Sequence, residues 1–447
     1  MLAPVVFCDE PFQGIPETDK LVFYCADQRH FAWENRLNAI TARLDEIRSL
    51  QINVLWIKPI TAQGRVKNPY VTVDHKKIEP ADGTMDDLRR LVGEAHKRGI
   101  AVILDLVANH TAWDHPWVSE RPDFYHRDEN GNVTGPPYWP ETAKLNYDNP
   151  ETRKAMIDIM NFWIVEANID GYRCDAGDHV PASFWKEAIG ELRAMQPGRK
   201  IIMLNEGWKP ENLASGHDLD CAWFFAEDME FLFEGNTRHP RTVQSLYERH
   251  RKEFSNDVTP DGKQKLRYVT THDLFREGTL RKYGSQEAVI AGFVIALTMG
   301  GVPLIFGSQE IGFGEGLYIP KNWNLNPEIF DTYKKLMEIR VNSPALNGKW
   351  KVQTFANPDI VSFMRVAETE VKVATASSRS QRQDAVATLE MTEEIFVAVN
   401  VRREAKKLEI PADMAGTKWT NLMDYKEMIL SSNMEMPPHG YLILRRK

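Results

Sequence analysis

Ala101-Val102-Ile103-Leu104-Asp105-Leu106-Val107-Ala108-Asn109-His110 is an apolar run closed by an amide and a histidine. The residues just before it read as a helix. Thr84 has Asp87 three positions on, the pattern of a capping box. Leu88, Leu91, Val92 and Ala95 then recur at helical spacing. Gly99 ends the turn, where a left-handed residue is tolerated. The run itself is short, β-branched and apolar, and predicts a strand over Ala101–Asp105. Helix, tight stop and buried strand together form one α/β unit.

The same rhythm extends in both directions. Upstream, Leu37, Ile40, Leu44 and Ile47 predict a helix over Arg36–Leu50, followed by a strand at Val54–Ile57. The full set of predicted strands is Leu21–Cys25, Val54–Ile57, Ala101–Asp105, Ile169–Tyr172, Ile201–Asn205, Cys221–Phe225, Leu266–Val269 and Val302–Phe306. Eight such repeats predict a (β/α)8 TIM barrel rather than an open doubly wound sheet. No Gly-x-Gly-x-x-Gly follows the first strand, which argues against a dinucleotide site. Residues 111–148, between the third and fourth strands, form a long excursion rich in Pro, Asp, His, Trp and Tyr, expected to be a small loop subdomain. A helix over Glu151–Glu166 follows, with Met156, Ile159, Met160 and Trp163 on one face. The barrel is expected to span 1–345. Beyond Pro344 helical stripes cease, and strands at Ile360–Val366, Ala385–Thr392, Ile395–Val399 and Tyr441–Leu444 predict a C-terminal antiparallel β-sandwich over 350–447.

Composition agrees with a large globular protein. Hydrophobic residues make up 43% and charged residues 26% of 447, enough for a sizeable core and too ordered a mix for disorder. The net charge of −8 argues against a nucleic-acid partner. Aromatic residues, 12 Trp among them, serve the core first, although their flat faces also suit sugar rings. The four cysteines, Cys8, Cys25, Cys174 and Cys221, contain no Cys-x-x-Cys and form no disulfide scaffold. No apolar run reaches the length of a membrane span. Met1–Glu10 lacks the features of a secretion signal, which points to the cytoplasm by default and to the periplasm or exterior if a leader has been removed. The oligomeric state is not legible.

Four segments end predicted strands with chemistry. They are Asp105-x-x-x-Asn109-His110, Gly171-Tyr172-Arg173-Cys174-Asp175, Asn205-Glu206-Gly207-Trp208 and His272-Asp273. Polar groups at the C-terminal ends of several strands mark a TIM-barrel active site. Two carboxylates with a third acid, and His and Arg beside them, make up the inventory of a retaining glycosidase. Arg173 and Asp175 are two apart on one strand and so face the same side.

In this order the segments resemble the α-amylase superfamily of retaining glycoside hydrolases, and the resemblance extends over nearly the whole chain. It implies that Asp175 is the nucleophile, Glu206 the general acid/base and Asp273 a third acid that binds sugar hydroxyls. It implies that Arg173 holds Asp175 ionised, and that His110 and His272 hydrogen-bond the innermost sugar. Tyr70, in Asn68-Pro69-Tyr70-Val71-Thr72-Val73-Asp74, matches a tyrosine that stacks under the reacting sugar, although the local context departs from the commoner Gly-Tyr-Asp; Asp74 is read as loop support. His179 matches a position on the leaving-group side. Ala143-Lys144-Leu145-Asn146 looks most like the neopullulanase and cyclomaltodextrinase branch. Ala176 follows the nucleophile where α-1,6-specific oligosaccharide glucosidases carry Val. Gly307-Ser308-Gln309-Glu310 matches a structural motif.

The chemistry needs no cofactor. A structural Ca2+ is implied by the family, with Asn109 as the one ligand that can be named. The acidic turn Asp128–Asn132 does not supply an EF-hand, since Val133 stands where glycine is required. The first-strand loop Ala26–Asn35 lacks the Asp/Asn-rich calcium pattern of oligo-1,6-glucosidase relatives. The expected activity is retaining hydrolysis, endo- or exo-acting, of α-1,4-glucosidic bonds in starch-derived polysaccharides or oligosaccharides, so the expected partner is an α-glucan. The alternatives are a transglycosylase, an α-1,6- or cyclodextrin-acting relative, or a non-catalytic carbohydrate-binding protein on the same fold.

Overall fold

The computed structural model describes residues 10–234, 241–276, 279–313, 318–347, 352–374 and 386–446. Eight parallel strands close into a barrel: β1 (Phe23–Ala26), β2 (Val54–Ile57), β3 (Ala101–Val107), β4 (Gly171–Asp175), β5 (Ile202–Asn205), β6 (Leu219–Cys221), β7 (Gln264–Arg267) and β8 (Val302–Phe306). Each strand pairs with its sequence neighbours, and β8 returns to β1. Every residue of β3 is buried, as expected where helices cover one face and the barrel interior the other. The β3–β4 register sets Asp105 opposite Arg173 and Val107 opposite Asp175.

The helix before β3 begins as its sequence predicts. Thr84 accepts from the Asp87 backbone, and the Asp87 side chain accepts from Thr84, completing the capping box. Leu88, Leu91, Val92 and Ala95 are buried. The helix before β4 runs Pro150–Ala167, with the Asn149 side chain capping Glu151 and Asn168 closing it at φ 56°.

Several expected bounds shift. The helix expected over Arg36–Leu50 is two short helices, Arg36–Thr41 and Leu44–Ser49, with Arg43 outside the helical region between them. The sixth strand is not Cys221–Phe225: β6 ends at Cys221, and the aromatic run that resembled a strand opens the helix Trp223–Glu234. A short apolar run suits either element, and its tertiary surroundings choose. β7 lies two residues earlier than Leu266–Val269 because its polar residues are neutralised inside the fold. Lys265 bonds Asp220 on β6 at 2.7 Å, and Arg267 bonds Glu253 at 2.6 Å. β4 runs later than Ile169–Tyr172 and so includes Asp175 itself.

The excursion carries an antiparallel hairpin, His110–Ala112 with Thr142–Lys144, and the short helix Pro116–Glu120. The C-terminal strands are β9 (Val352–Phe355), β10 (Ile360–Ala374), β11 (Val386–Asn400), β12 (Lys406–Glu409), β13 (Lys418–Asn421), β14 (Glu427–Ile429), β15 (Asn433–Met436) and β16 (Tyr441–Arg446). A six-stranded sheet, β9-β10-β11-β16-β13-β14, and the pair β12-β15 are antiparallel and share a core that includes Phe396, Leu408, Trp419 and Leu444. The two strands expected at Ala385–Thr392 and Ile395–Val399 are the single strand β11. Cys8, Trp350 and Ala385 lie outside the described residues.

The chain divides into two compact units. One holds Met1–Trp223, Lys252–Glu277 and Val302–Lys334, and so all eight barrel strands; the other holds Phe224–Arg251, Gly278–Gly301 and Lys335–Lys447. No described helix is long and apolar enough to cross a membrane. Cys25, Cys174 and Cys221 are buried and free.

Candidate active site

The strand ends bring three carboxyl groups to one guanidinium. Arg173 on β4 is 1% exposed. Its Nη1 donates to Asp105 Oδ1 at 2.7 Å and to Asp175 Oδ1 at 2.8 Å, and its Nη2 contacts Glu206 Oε1. Asp105 comes from β3, Asp175 from β4 and Glu206 from the residue after β5. A planar fork of fixed N–H groups is what allows one cation to orient several carboxylates at once.

The turns beyond β4 and β5 lock Glu206 to Asp175. Glu206 N donates to Cys174 O at 3.0 Å, and Gly177 N to Glu206 O at 3.0 Å. Ala176 N donates to Glu206 Oε2 at 2.6 Å. Ala176 sits in the left-handed region at φ 46° to aim that N–H. Gly177 has no room for a side chain, since a Cβ there would lie 1.9 Å from Asn205 Oδ1. Asp178 completes the joint by accepting from Asn205 Nδ2, Trp208 N and Asn212 Nδ2.

A second layer stands beside the fork. Tyr70 Oη donates to Asp105 Oδ2 at 3.0 Å and meets His272 Nε2 at 2.9 Å. The Tyr70 and His272 rings stack, with centroids 5.5 Å apart. Asp273 Oδ2 lies 3.4 Å from His272 Nε2, at the start of the short helix His272–Arg276 after β7. Its side chain is 43% exposed, against 11% for Asp175 and 16% for Glu206, so the third acid faces open space while the pair is enclosed. His110 uses both ring nitrogens within the protein: Nδ1 meets Asn109 Nδ2 at 3.1 Å, and Nε2 meets Tyr70 O at 3.0 Å. It therefore supports the Tyr70 backbone. His179 stands on the exposed rim, and the Trp139 ring lies 5.5 Å from both His110 and His179. Asp74 accepts from Lys76 N within its own strand and is exposed.

Burial sets the electrostatics. It pushes the Asp175 carboxyl well above the usual range, Glu206 adds repulsion, and Arg173 opposes both. Burial also raises Asp105 against the pull of Arg173. His272 falls well below an ordinary histidine, through burial and then the charges of Lys58 and Arg173, and is neutral.

Trp56, Lys58 and Asp27 stand here without having been singled out in the sequence, and Asp105, which opens the first motif there, had no assigned role. Lys58, 1% exposed, bonds Asp27 at 3.2 Å and lies 5.5 Å from the Tyr70 ring centroid. Acids or amines that interrupt or close an apolar strand, as at Leu104-Asp105-Leu106 and Trp56-Ile57-Lys58, are the signal that could have marked two of them.

Asn109, the ligand named for a structural Ca2+, lies in the hairpin region after β3. Ca2+ takes six to eight oxygens. The Asn109 side-chain nitrogen meets His110 Nδ1 at 3.1 Å, its backbone carbonyl accepts from Leu145 N at 3.1 Å, and among the described residues no group of three or more His, Cys, Asp or Glu converges as a metal site.

The family model described as alpha amylase, catalytic domain, matches residues 27–140 and 137–389. Alpha-amylase 3 of Dictyoglomus thermophilum is 28% identical over 378 residues, which is 70% of this chain and 74% of that protein. The maltogenic alpha-amylase of Bacillus acidopullulyticus is 24% identical, covering 91% of this chain and 70% of its own length. Among solved structures, an alpha-amylase from Geobacillus thermoleovorans complexed with acarbose superposes with TM-score 0.79 at 21% identity, covering 97% of this chain and 100% of that one, a likeness of fold.

Proposed function

This chain belongs to the alpha-amylase catalytic-domain family and is a glycoside hydrolase of α-glucans; on that premise we propose that it cleaves α-1,4-glucosidic bonds in starch-derived polysaccharides or oligosaccharides with retention of configuration. The observation that carries this reading is the single guanidinium shared by Asp175 and Glu206. Two carboxyls on one guanidinium are close neighbours, and retaining glycosidases use a separation of about 5–5.5 Å.

Asp175 attacks the anomeric carbon while Glu206 gives its proton to the departing glycosidic oxygen, so the C–O bond to the leaving sugar breaks as the C–O bond to Asp175 forms. Positive charge developing at the anomeric carbon favours the ionised form of Asp175. Glu206, now a carboxylate, takes a proton from water, the water oxygen displaces Asp175, and the sugar leaves with its original anomeric configuration. Arg173 keeps Asp175 aimed throughout. Asp273 binds hydroxyls of the reacting sugar, and Tyr70, held by Asp105, His272 and His110, offers its ring alongside. His179, on the Trp139 rim, faces the leaving-group side.

The test is maltoheptaose hydrolysis followed by proton NMR within the first turnovers. The expected product is the α anomer, which then mutarotates. A β anomer at early times means inversion and refutes the covalent role of Asp175.

A further inference from the structure

Strand β2 carries no motif, yet its Trp56 touches the catalytic cluster from below. The indole is 1% exposed, and its Nε1 donates to Asp105 Oδ2 at 3.2 Å. That oxygen is also the acceptor for Tyr70 Oη at 3.0 Å, while Asp105 Oδ1 takes Arg173. The Trp56 ring also lies 5.1 Å from the Arg173 guanidinium carbon and meets the His272 ring edge-on at 6.3 Å. One side chain therefore contacts the carboxylate that anchors Arg173, the guanidinium itself and the histidine that holds Tyr70.

We propose that Trp56 is a positioning residue of the hydrolytic reaction: its N–H and Tyr70 Oη together orient Asp105, which sets the rotation of the Arg173 fork and thereby the aim of Asp175 and the seat of Glu206. Geometry gives the reason. A carboxylate with an apolar floor can turn about its Cβ–Cγ bond, and Asp105 bonds Arg173 through one oxygen only. Two donors on the other oxygen fix the carboxylate plane, and a buried N–H that serves a charged acceptor makes one of the stronger protein hydrogen bonds. The flat ring under the guanidinium restrains the fork in the remaining direction through a cation–π contact. Trp56 is walled off from substrate, so its influence falls on the chemical step rather than on sugar binding.

This proposal rests on the hydrolytic reading of Asp175 and Glu206, and the experiment separates the two. The full chain is made with Trp56→Phe, and a second variant replaces Trp56 with the isosteric 3-benzothienylalanine, which keeps the ring and lacks the N–H. Initial rates on maltoheptaose are measured across a range of concentrations, with melting temperatures alongside. Both variants should lose about tenfold in kcat with KM within twofold of the unsubstituted chain, and the benzothienyl variant should melt within a few degrees of it. A benzothienyl variant with unchanged kcat overturns the role of the N–H. A loss carried by KM rather than kcat overturns positioning in favour of binding. A chain with Trp56 intact that hydrolyses no α-glucan refutes the proposed function itself.

Discussion

Replacing Arg173 by Lys tests whether the fork, rather than mere positive charge, organises the acids. The buried guanidinium serves Asp105, Asp175 and Glu206 through two nitrogens. Lysine keeps the charge but has one nitrogen on a tetrahedral head, which reaches one carboxylate well and leaves the other two to drift. Hydrogen bonds to charged groups are worth about 1.5–3 kcal/mol each, so losing two removes about 3–6 kcal/mol of organisation. At about 1.4 kcal/mol per factor of ten, this predicts a fall of roughly 10²–10⁴ in kcat/KM. Because a cation still sits among the three acids, the full cost of an unpaired buried charge is avoided, and the variant should fold. Reducing-end release from maltoheptaose at sub-saturating concentration gives kcat/KM, and circular dichroism gives the melting temperature. A folded Arg173→Lys variant within tenfold of the parent would refute the idea that the planar fork sets the geometry.

Glu206→Gln should lose about 10²–10⁴ in turnover of maltoheptaose, the usual worth of a general acid. It should keep most of the first step on a nitrophenyl α-maltoside, whose leaving group departs without a proton. Equal losses on the two substrates, in a burst experiment, would remove Glu206 from that role. Glu310 offers a stability test: buried against Tyr24 Oη and Ser308 N, it is pushed up to about 7, with burial as the main cause. Its folded pKa exceeds the unfolded value, so the folded state binds the extra proton and stability falls as pH rises from about 4.5 to about 7. At about 1.4 kcal/mol per pKa unit the loss is about 3 kcal/mol, and Glu310→Gln should flatten that slope in denaturant titrations at several pH values. An unchanged slope would assign the pH dependence to other groups.

Much of the fold was legible because the barrel repeats a simple physical unit. The Thr84 cap, the stripe ending at Ala95 and the apolar run from Ala101 each act over a few residues, and each is present as read. Misread segments are those where tertiary partners overrule local preference. Trp223-Phe224-Phe225 looks like a strand, but β6 stops at Cys221 and those aromatics open a helix. Lys265 and Arg267 look wrong for a buried strand until Asp220 and Glu253 neutralise them.

The site divides along the same line. Residue type and order along the chain put Arg173, Asp175, Glu206 and Asp273 forward as one candidate set, and the fold brings Asp175 and Glu206 onto the Arg173 guanidinium with Asp273 beside His272. Nothing in the linear order says that Asp105 shares the guanidinium, that His110 spends both nitrogens on Asn109 and Tyr70, or that Trp56 supplies the floor. Those facts come from barrel closure. Register between β3 and β4 puts Asp105 opposite Arg173, and the curvature of eight strands brings β2 beneath them, contacts between residues dozens of positions apart that no local pattern encodes.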